Sequence, residues 1–571
     1  MSFFKTLYCG NPSLGNVLNN LRYPRHHLQV CSVKQFHQAN NHYQKNEDRE
    51  NLHQPKNKYL LLFGVTAGSA AAVFYLASRN NVSLAKSVGS KDTKGTGKDN
   101  TDGFVKGLPI YGHEEVAKHT TSETGIWVTY KSGVYDVTKF AATHPGGNQI
   151  LEAAGGPVDP FWDLYQQHDT PQVLELLETL RIGNYKDAYV TEKGDGLWAN
   201  QPKRDPNLIM ISERPCNAET PKALLGASYI TPNHLFYVRH HLPVPEIDLD
   251  TYVIEVKSNE PGSKVLKLTL DDVKKFPKHT VTSALMCAGN RRSQMNQFKP
   301  TRGLNWGPGA VGNAVWAGAR LKDVLEAAGV TPDEFKHVQF VGADFDATGK
   351  PYGSSIPLAT AMGERNDVIL AYEMNGKPIP RDHGFPVRAF IPGTVGARCV
   401  KWLTAITVSK EESPSHWQQM DYKGFNPSVD PDENAYKNST SIQFLPVTSA
   451  ILSPENGAVV KVDEDFNVVV KGYAWSGGGQ KILRVDLTGD QGKTWINGTI
   501  VNQDDMPAGR HWAWTLWTAK IPAQRGQREM EIWVKAIDSS YNNQPDEVAN
   551  IWNVRGVLNN AFDKIKIKIT R

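Results

Sequence analysis

His144 stands in Phe140-Ala-Ala-Thr-His-Pro-Gly-Gly147, and a second histidine, His168, follows 24 residues later. No other feature restricts the fold of this chain as tightly. A histidine that ligates haem iron must aim a neutral imidazole at the metal while a second partner fixes its other nitrogen. The Pro-Gly-Gly turn lets the backbone approach a porphyrin edge where a Cβ would clash. Upstream, Gly125-Ile-Trp-Val-Thr-Tyr-Lys-Ser-Gly-Val-Tyr-Asp-Val137 reads as two short strands around a Lys-Ser-Gly turn. Downstream, a helical stretch from Asn148 and the aromatic-rich Phe161-Trp-Asp-Leu-Tyr-Gln-Gln-His168 offer an opposite wall. The pair reads as a clamp for six-coordinate haem b. Two histidine ligands leave iron no open position, so such a module carries electrons rather than activating oxygen.

Cys287, in Ala284-Leu-Met-Cys-Ala-Gly-Asn-Arg-Arg292, is the second focus. The following Ala-Gly permits close approach. The cations Arg291 and Arg292 favour a thiolate, since positive neighbours lower a thiol pKa, and a soft thiolate suits a soft or redox metal. The other cysteines, Cys9, Cys31, Cys216 and Cys399, are widely spaced. They form neither a disulfide framework nor a CxxC zinc site. Around Cys287 lie further strings punctuated by Gly and Pro, which places them on loops between short strands. They are Leu235-Phe-Tyr-Val-Arg-His-His-Leu-Pro-Val-Pro245, Thr301-Arg-Gly-Leu-Asn-Trp306, Ala343-Asp-Phe-Asp346, Pro351-Tyr-Gly-Ser-Ser-Ile-Pro357, Pro380-Arg-Asp-His-Gly-Phe-Pro-Val-Arg388 and Gly396-Ala-Arg-Cys-Val-Lys-Trp402.

A chain of 571 residues is too long for one core and divides into three or four domains. Net charge of +4, with no Lys/Arg block, points away from a nucleic-acid partner. The first acidic residue is Glu47, after Lys5, Arg22, Arg25, Lys34 and Lys45. That basic, acid-free composition is expected of a mitochondrial presequence. Residues 59–77 carry no charge. As a helix they would measure about 28 Å, close to the roughly 30 Å hydrocarbon core. A sorting segment removed on maturation is expected, leaving a protein of the mitochondrial intermembrane space; a retained anchor is the competing reading.

The segment Gly125 to Gly147 resembles a cytochrome b5 domain, with His144 and His168 at its two axial positions. The strings together resemble the sulfite oxidase family of molybdenum enzymes, almost unbroken from Phe104 to the C-terminus. The resemblance implies a multidomain α+β chain: a cytochrome b5-like haem domain, a mixed α/β molybdenum-cofactor domain and an immunoglobulin-like β-sandwich that makes a homodimer. It further implies Mo-molybdopterin with Cys287 as the molybdenum ligand. A substrate pocket of Arg239, Arg292, Arg555, Trp306 and Tyr352 is implied, with cofactor contacts from Tyr237, Val238, Arg239, His240, His241, Asp344, His383, Arg388, Cys399, Val400 and Lys401. The family often carries Arg-Asn-His where this chain has Arg239-His240-His241, and histidine where it has Cys399.

The expected divisions are 1–58 presequence, 59–77 hydrophobic segment, 78–103 linker, 104–185 haem domain, 186–205 flexible linker, 206–440 molybdenum-cofactor domain and 441–571 dimerisation domain. Alternating strings such as Phe466-Asn-Val-Val-Val-Lys-Gly-Tyr-Ala-Trp475 support strands in the last of these. The implied activity is oxidation of sulfite to sulfate with water as oxygen source, electrons leaving through haem b to cytochrome c. Several guanidiniums in a dry cleft suit a doubly charged oxyanion. The alternative is a nitrate reductase-like enzyme. It needs a flavin- and NAD(P)H-binding unit and places haem after molybdenum, whereas here the haem domain comes first.

Overall fold

The computed structural model describes residues 103–570 except 145–146, 165–167, 169, 189–197, 331–334 and 429–432. The expected presequence and hydrophobic segment lie outside the described residues.

The first sheet belongs to the expected haem domain. Its strands run Ile110–Tyr111, Arg181–Tyr185, Gly133–Asp136, Gly125–Tyr130, Thr120–Thr121, with Gly156–Pro157 also pairing Gly125–Tyr130. The expected hairpin forms as read, turning at Lys131 with φ 49°. Its apolar residues Ile126, Val128, Tyr135 and Val137 pack with Val158 and Leu177 into a small core. Gly147–Ala153 forms a 3-10 helix and Asp159–Leu164 an α-helix, which flank the histidine pair.

Two five-stranded sheets build the middle of the chain. One runs Leu266–Leu268, Ile254–Ser258, Leu403–Ser409, His337–Phe345, Pro351–Pro357; the other runs Lys278–Met286, Val311–Arg320, Ile369–Met374, Lys377–Pro378, with Arg388–Phe390 beside Ile369–Met374. The strand Lys278–Met286 starts half-exposed and is buried throughout from Ser283. It thereby drives Cys287 into the interior, where its amide donates to Ala310 O at 3.0 Å.

The C-terminal strands form a sandwich: Thr448–Ser453, Asn467–Trp475, Thr515–Pro522, Thr499–Asn502 in one layer, and Val459–Lys461, Asp563–Thr570, Glu529–Asp538, Ile482–Thr488, Ile496–Asn497 in the other. In Asn467–Trp475, Val468 and Val470 turn inward while Val469 and Lys471 face out, the period-2 pattern of a half-buried strand. Val468, Val470, Val485, Ile532, Val534 and Ile567 share one core.

One carboxylate ties this sandwich to the middle domain. Asp367 accepts from Arg510 Nε at 2.8 Å and Nη2 at 2.5 Å and from Trp512 Nε1 at 2.8 Å, and faces His279 Nε2 at 2.9 Å. Burial alone would raise its pKa, but His279, Arg510 and Trp512 outweigh that and hold it at about 2. A depressed folded-state pKa contributes stability that is complete above about pH 4 and is lost as pH falls toward 2. Asp367→Asn should cost about 1.5–3 kcal/mol near neutrality, because it removes the charged partner of half-buried Arg510. Denaturant midpoints of wild type and variant should converge between pH 4 and pH 2 (roughly the titration window). A gap that ignores pH would mean the carboxylate's charge is not what holds the two layers.

Candidate active site

The rings of His144 and His168 lie 6.3 Å apart between centroids and within 8° of parallel. That slot accommodates two collinear metal–imidazole bonds of about 2 Å plus the ring radii. Phe140 meets His144 edge-on at 5.7 Å, and Trp162 stacks on His168 at 5.3 Å. The aromatic walls are apolar and fix ring planes, which fits a flat porphyrin between the two imidazoles.

A second site is a cavity bordered by Cys287 and by loops from both middle sheets. Tyr237, Arg239 and His241 border it while Val238 and His240 do not, the alternation of an extended chain. Asp344, Tyr352, His383, Arg388, Cys399, Val400 and Lys401 complete the expected set on its wall.

Arg292 is seated behind the thiol in a cradle of glycines. A Cβ at Gly289, Gly303 or Gly556 would come within 2.7, 2.6 or 2.7 Å of its side chain. Its Nε donates to Gly556 O and its Nη1 to Leu304 O, each at 2.8 Å. Burial, reinforced by Arg555 and Arg239, pulls its pKa to about 10, still charged near neutrality. Trp306, fully buried, supports the same wall through its ring contact with Tyr237 at 6.5 Å. Arg555 pairs with Asp421 at 2.5 Å, and that carboxylate raises its pKa. The neighbouring Tyr422 hydroxyl lies 2.7 Å from His241 Nε2. Burial pushes Tyr422 up to about 12 and pushes His241 well below its usual value, so near neutrality the phenol keeps its proton and the imidazole is neutral. Replacing Arg292 by glutamine should lower kcat/KM for an anionic substrate by roughly 10- to 150-fold, since a charge-assisted hydrogen bond contributes about 1.5–3 kcal/mol. Unchanged steady-state kinetics would place Arg292 outside the substrate's reach.

At the other end of the cavity, Arg388 donates to His383 O at 2.9 Å and Cys399 O at 2.8 Å. Its Nε and Asp344 Oδ1 are buried without a protein partner. Burial pushes Asp344 up to about 7 against the pull of Lys401. Orphaned polar atoms on a cavity wall are satisfied by a bound ligand. A thiol, two such orphans and the cations Arg239, Arg388 and Lys401 fit an anionic, hydrogen-bonding metal cofactor.

The structure parts several residues that sequence reasoning grouped. Arg291, expected beside the thiol with Arg292, takes φ 63° and turns to the sandwich, donating to Ser449 O and Ala561 O. The Cys399 sulfur takes the Ile391 amide at 3.4 Å. Tyr352 gives its hydroxyl to Ala397 O at 2.8 Å. Sequence reasoning missed Tyr422 and Asp421, whose string Met420-Asp-Tyr-Lys-Gly-Phe425 lies among the loops without a signature of its own. It also treated 186–205 as free coil. Instead Trp198 is buried and donates to Asp163 O at 2.9 Å, and Arg204 grips Asp382 at 2.8 Å.

The haem domain touches the middle domain behind the cavity wall. Gln149 Nε2 lies 2.9 Å from His416 Nδ1, and Lys350 meets Glu152 at 2.8 Å. His416 abuts Trp417, whose ring contacts those of cavity residues Tyr352 at 4.7 Å and His241 at 5.7 Å.

Three family descriptions match successive parts of the chain: "Cytochrome b5-like Heme/Steroid binding domain" over residues 112–186, "Oxidoreductase molybdopterin binding domain" over 241–417 and "Mo-co oxidoreductase dimerisation domain" over 439–570. The mitochondrial sulfite oxidase of Drosophila melanogaster is 57% identical over 469 residues, covering 81% of each chain. The NADH nitrate reductase 1 of Oryza sativa subsp. japonica is 37% identical and covers 65% of this chain but 42% of its own length. Among solved structures, the sulfane dehydrogenase SoxCD of Paracoccus pantotrophus superimposes with a TM-score of 0.51 at 25% identity, covering 66% of this chain and 92% of that one.

Proposed function

The chain belongs to the sulfite oxidase family and oxidises sulfite using Mo-molybdopterin and haem, and from that premise we propose how its residues divide the work. Bound molybdenum supplies two-electron oxidation with oxygen-atom transfer, and haem b relays the electrons singly. Cys287 would hold molybdenum, and His144 and His168 would hold the haem iron. The observation that carries this reading is the convergence of one buried thiol, the guanidiniums of Arg239 and Arg388 and two orphaned polar atoms on a single cavity, with the buried Arg292 charge-coupled to that thiol.

Arg239, Arg292 and Arg555 draw the sulfite dianion in, where low dielectric strengthens their attraction. Asp421 aims Arg555 by its ion pair. Trp306 and the Tyr352 ring exclude water, and Tyr422 offers its retained proton as a hydrogen-bond donor beside His241. Asp344, His383, Arg388, Cys399, Val400 and Lys401 hold the pterin end, with Val238 and His240 supporting them from behind. The haem domain's contact at His416 brings the electron relay within one ring, that of Trp417, of the cavity residues Tyr352 and His241.

The electrons pass to a c-type cytochrome, and the mature enzyme is a homodimer of the mitochondrial intermembrane space, like the relatives named mitochondrial. Its hydrophobic segment 59–77 is removed on maturation. Purified enzyme mixed with limiting sulfite should reduce two equivalents of ferricytochrome c per sulfite consumed. Reduction of oxygen or a nicotinamide instead would overturn the acceptor assignment.

A further inference from the structure

Half-buried Lys401 lies on the cavity wall, and its ammonium's three donors meet three protein acceptors. These are Arg239 O at 3.1 Å, Asp382 O at 3.2 Å and His240 Nδ1 at 2.5 Å. Burial and then Arg388 pull the Lys401 pKa well down, against Asp344 and Asp382; the geometry nonetheless calls for the charged form, because an ammonium has three N–H bonds and no lone pair, one bond for each acceptor. It also fixes the imidazole's state. Nδ1 of His240 accepts, so Nε2 carries the hydrogen and donates it to Asp382 Oδ1 at 2.9 Å. That carboxylate is in turn gripped by Arg204, at 2.8 Å from Nη2 and 3.2 Å from Nε. Arg204 belongs to the segment that leads in from the haem domain. A row Arg204–Asp382–His240–Lys401 therefore ends on the wall beside Asp344 and Arg388. His240 itself does not border the cavity; its 1% exposure leaves it no solvent partner.

We propose that His240 is a positioning residue for the molybdenum cofactor. By accepting from Lys401 and donating to Asp382, it locks the ammonium as a fixed charge facing the cofactor's anionic, organic end. This rests on the reading of Lys401 as a cofactor contact. Because the ammonium's donors are already used, Lys401 acts through charge in place, and its grip depends on being held still. The imidazole spans both neighbours at once. A shorter amide can satisfy one of them, and an aliphatic chain neither.

The test is a double-mutant cycle on the full-length, haem-loaded holoprotein. The readout is the rate of pterin loss, followed as the fluorescence of the oxidised pterin that remains with the protein after gel filtration. Haem absorbance serves as the internal standard for intact protein. Lys401→Met and His240→Leu should each speed pterin loss by about tenfold or more, the effect of removing or freeing one fixed charge a few ångströms from an anion in a low-dielectric cleft. The two together should be no faster than the worse of them, because His240 acts only through Lys401. If Lys401→Met leaves retention unchanged, the assignment of Lys401 to the cofactor is wrong. If Lys401→Met speeds loss while His240→Leu does not, or if the effects multiply, His240 has no positioning role and this inference fails. Should His240→Leu not yield folded, haem-loaded protein, His240→Asn runs through the same cycle, with a smaller acceleration expected and the same two outcomes overturning the proposal.

Discussion

Cys287→Ser should abolish sulfite oxidation while leaving the haem spectrum as in the wild type. The substitution exchanges a soft thiolate for a hard alkoxide of nearly the same shape, so the loss is chemical rather than steric. Cys287 sits where the strand Lys278–Met286 runs into the core, with its amide tied to Ala310 O. A serine can keep that backbone bond, and the haem sheet is separate. Turnover should fall by several orders of magnitude in protein whose haem content is unchanged. Residual turnover above about a tenth of wild type, in variant that retains molybdenum by metal analysis, would mean that another group holds the metal.

His144→Ala should uncouple the two halves of the reaction. It removes one of the two parallel imidazoles, which on the proposed reading would leave iron with an open position. Cytochrome c reduction should then be lost, whereas a small artificial acceptor that reaches the cavity directly should still be reduced by sulfite. The Gln149–His416 contact lies outside the cavity lining, so loss of haem should leave the cavity itself in place. Loss of both activities together would show that the haem domain is needed to form the cavity.

The histidine pair and Cys287 were legible because each needs an unusual backbone: a Pro-Gly-Gly turn in one case, Cys-Ala-Gly in the other. The sandwich strands were legible because alternation survives in Asn467–Trp475 and Asp563–Thr570. What stayed hidden depends on direction rather than identity. Arg291 and Arg292 are adjacent, yet one left-handed residue sends them to opposite sides. His240 and His241 are adjacent, yet extended backbone puts one on the cavity and one behind it. Tyr352 and Tyr422 both border the cavity, and only their hydrogen bonds distinguish a hydroxyl spent on Ala397 from one facing His241. Residues 198–205 read as coil by composition, but Trp198 and Arg204 are anchored by partners far along the chain.

The central claim is that sulfite electrons enter at the Cys287 cavity and leave through the iron held by His144 and His168. Anaerobic addition of sulfite to the purified holoenzyme, with no acceptor present, tests it directly by absorbance of the haem. The account predicts full haem reduction in wild type and none in Cys287→Ser. Haem that stays oxidised in molybdenum-loaded wild type, or that is reduced equally fast in Cys287→Ser, would contradict it.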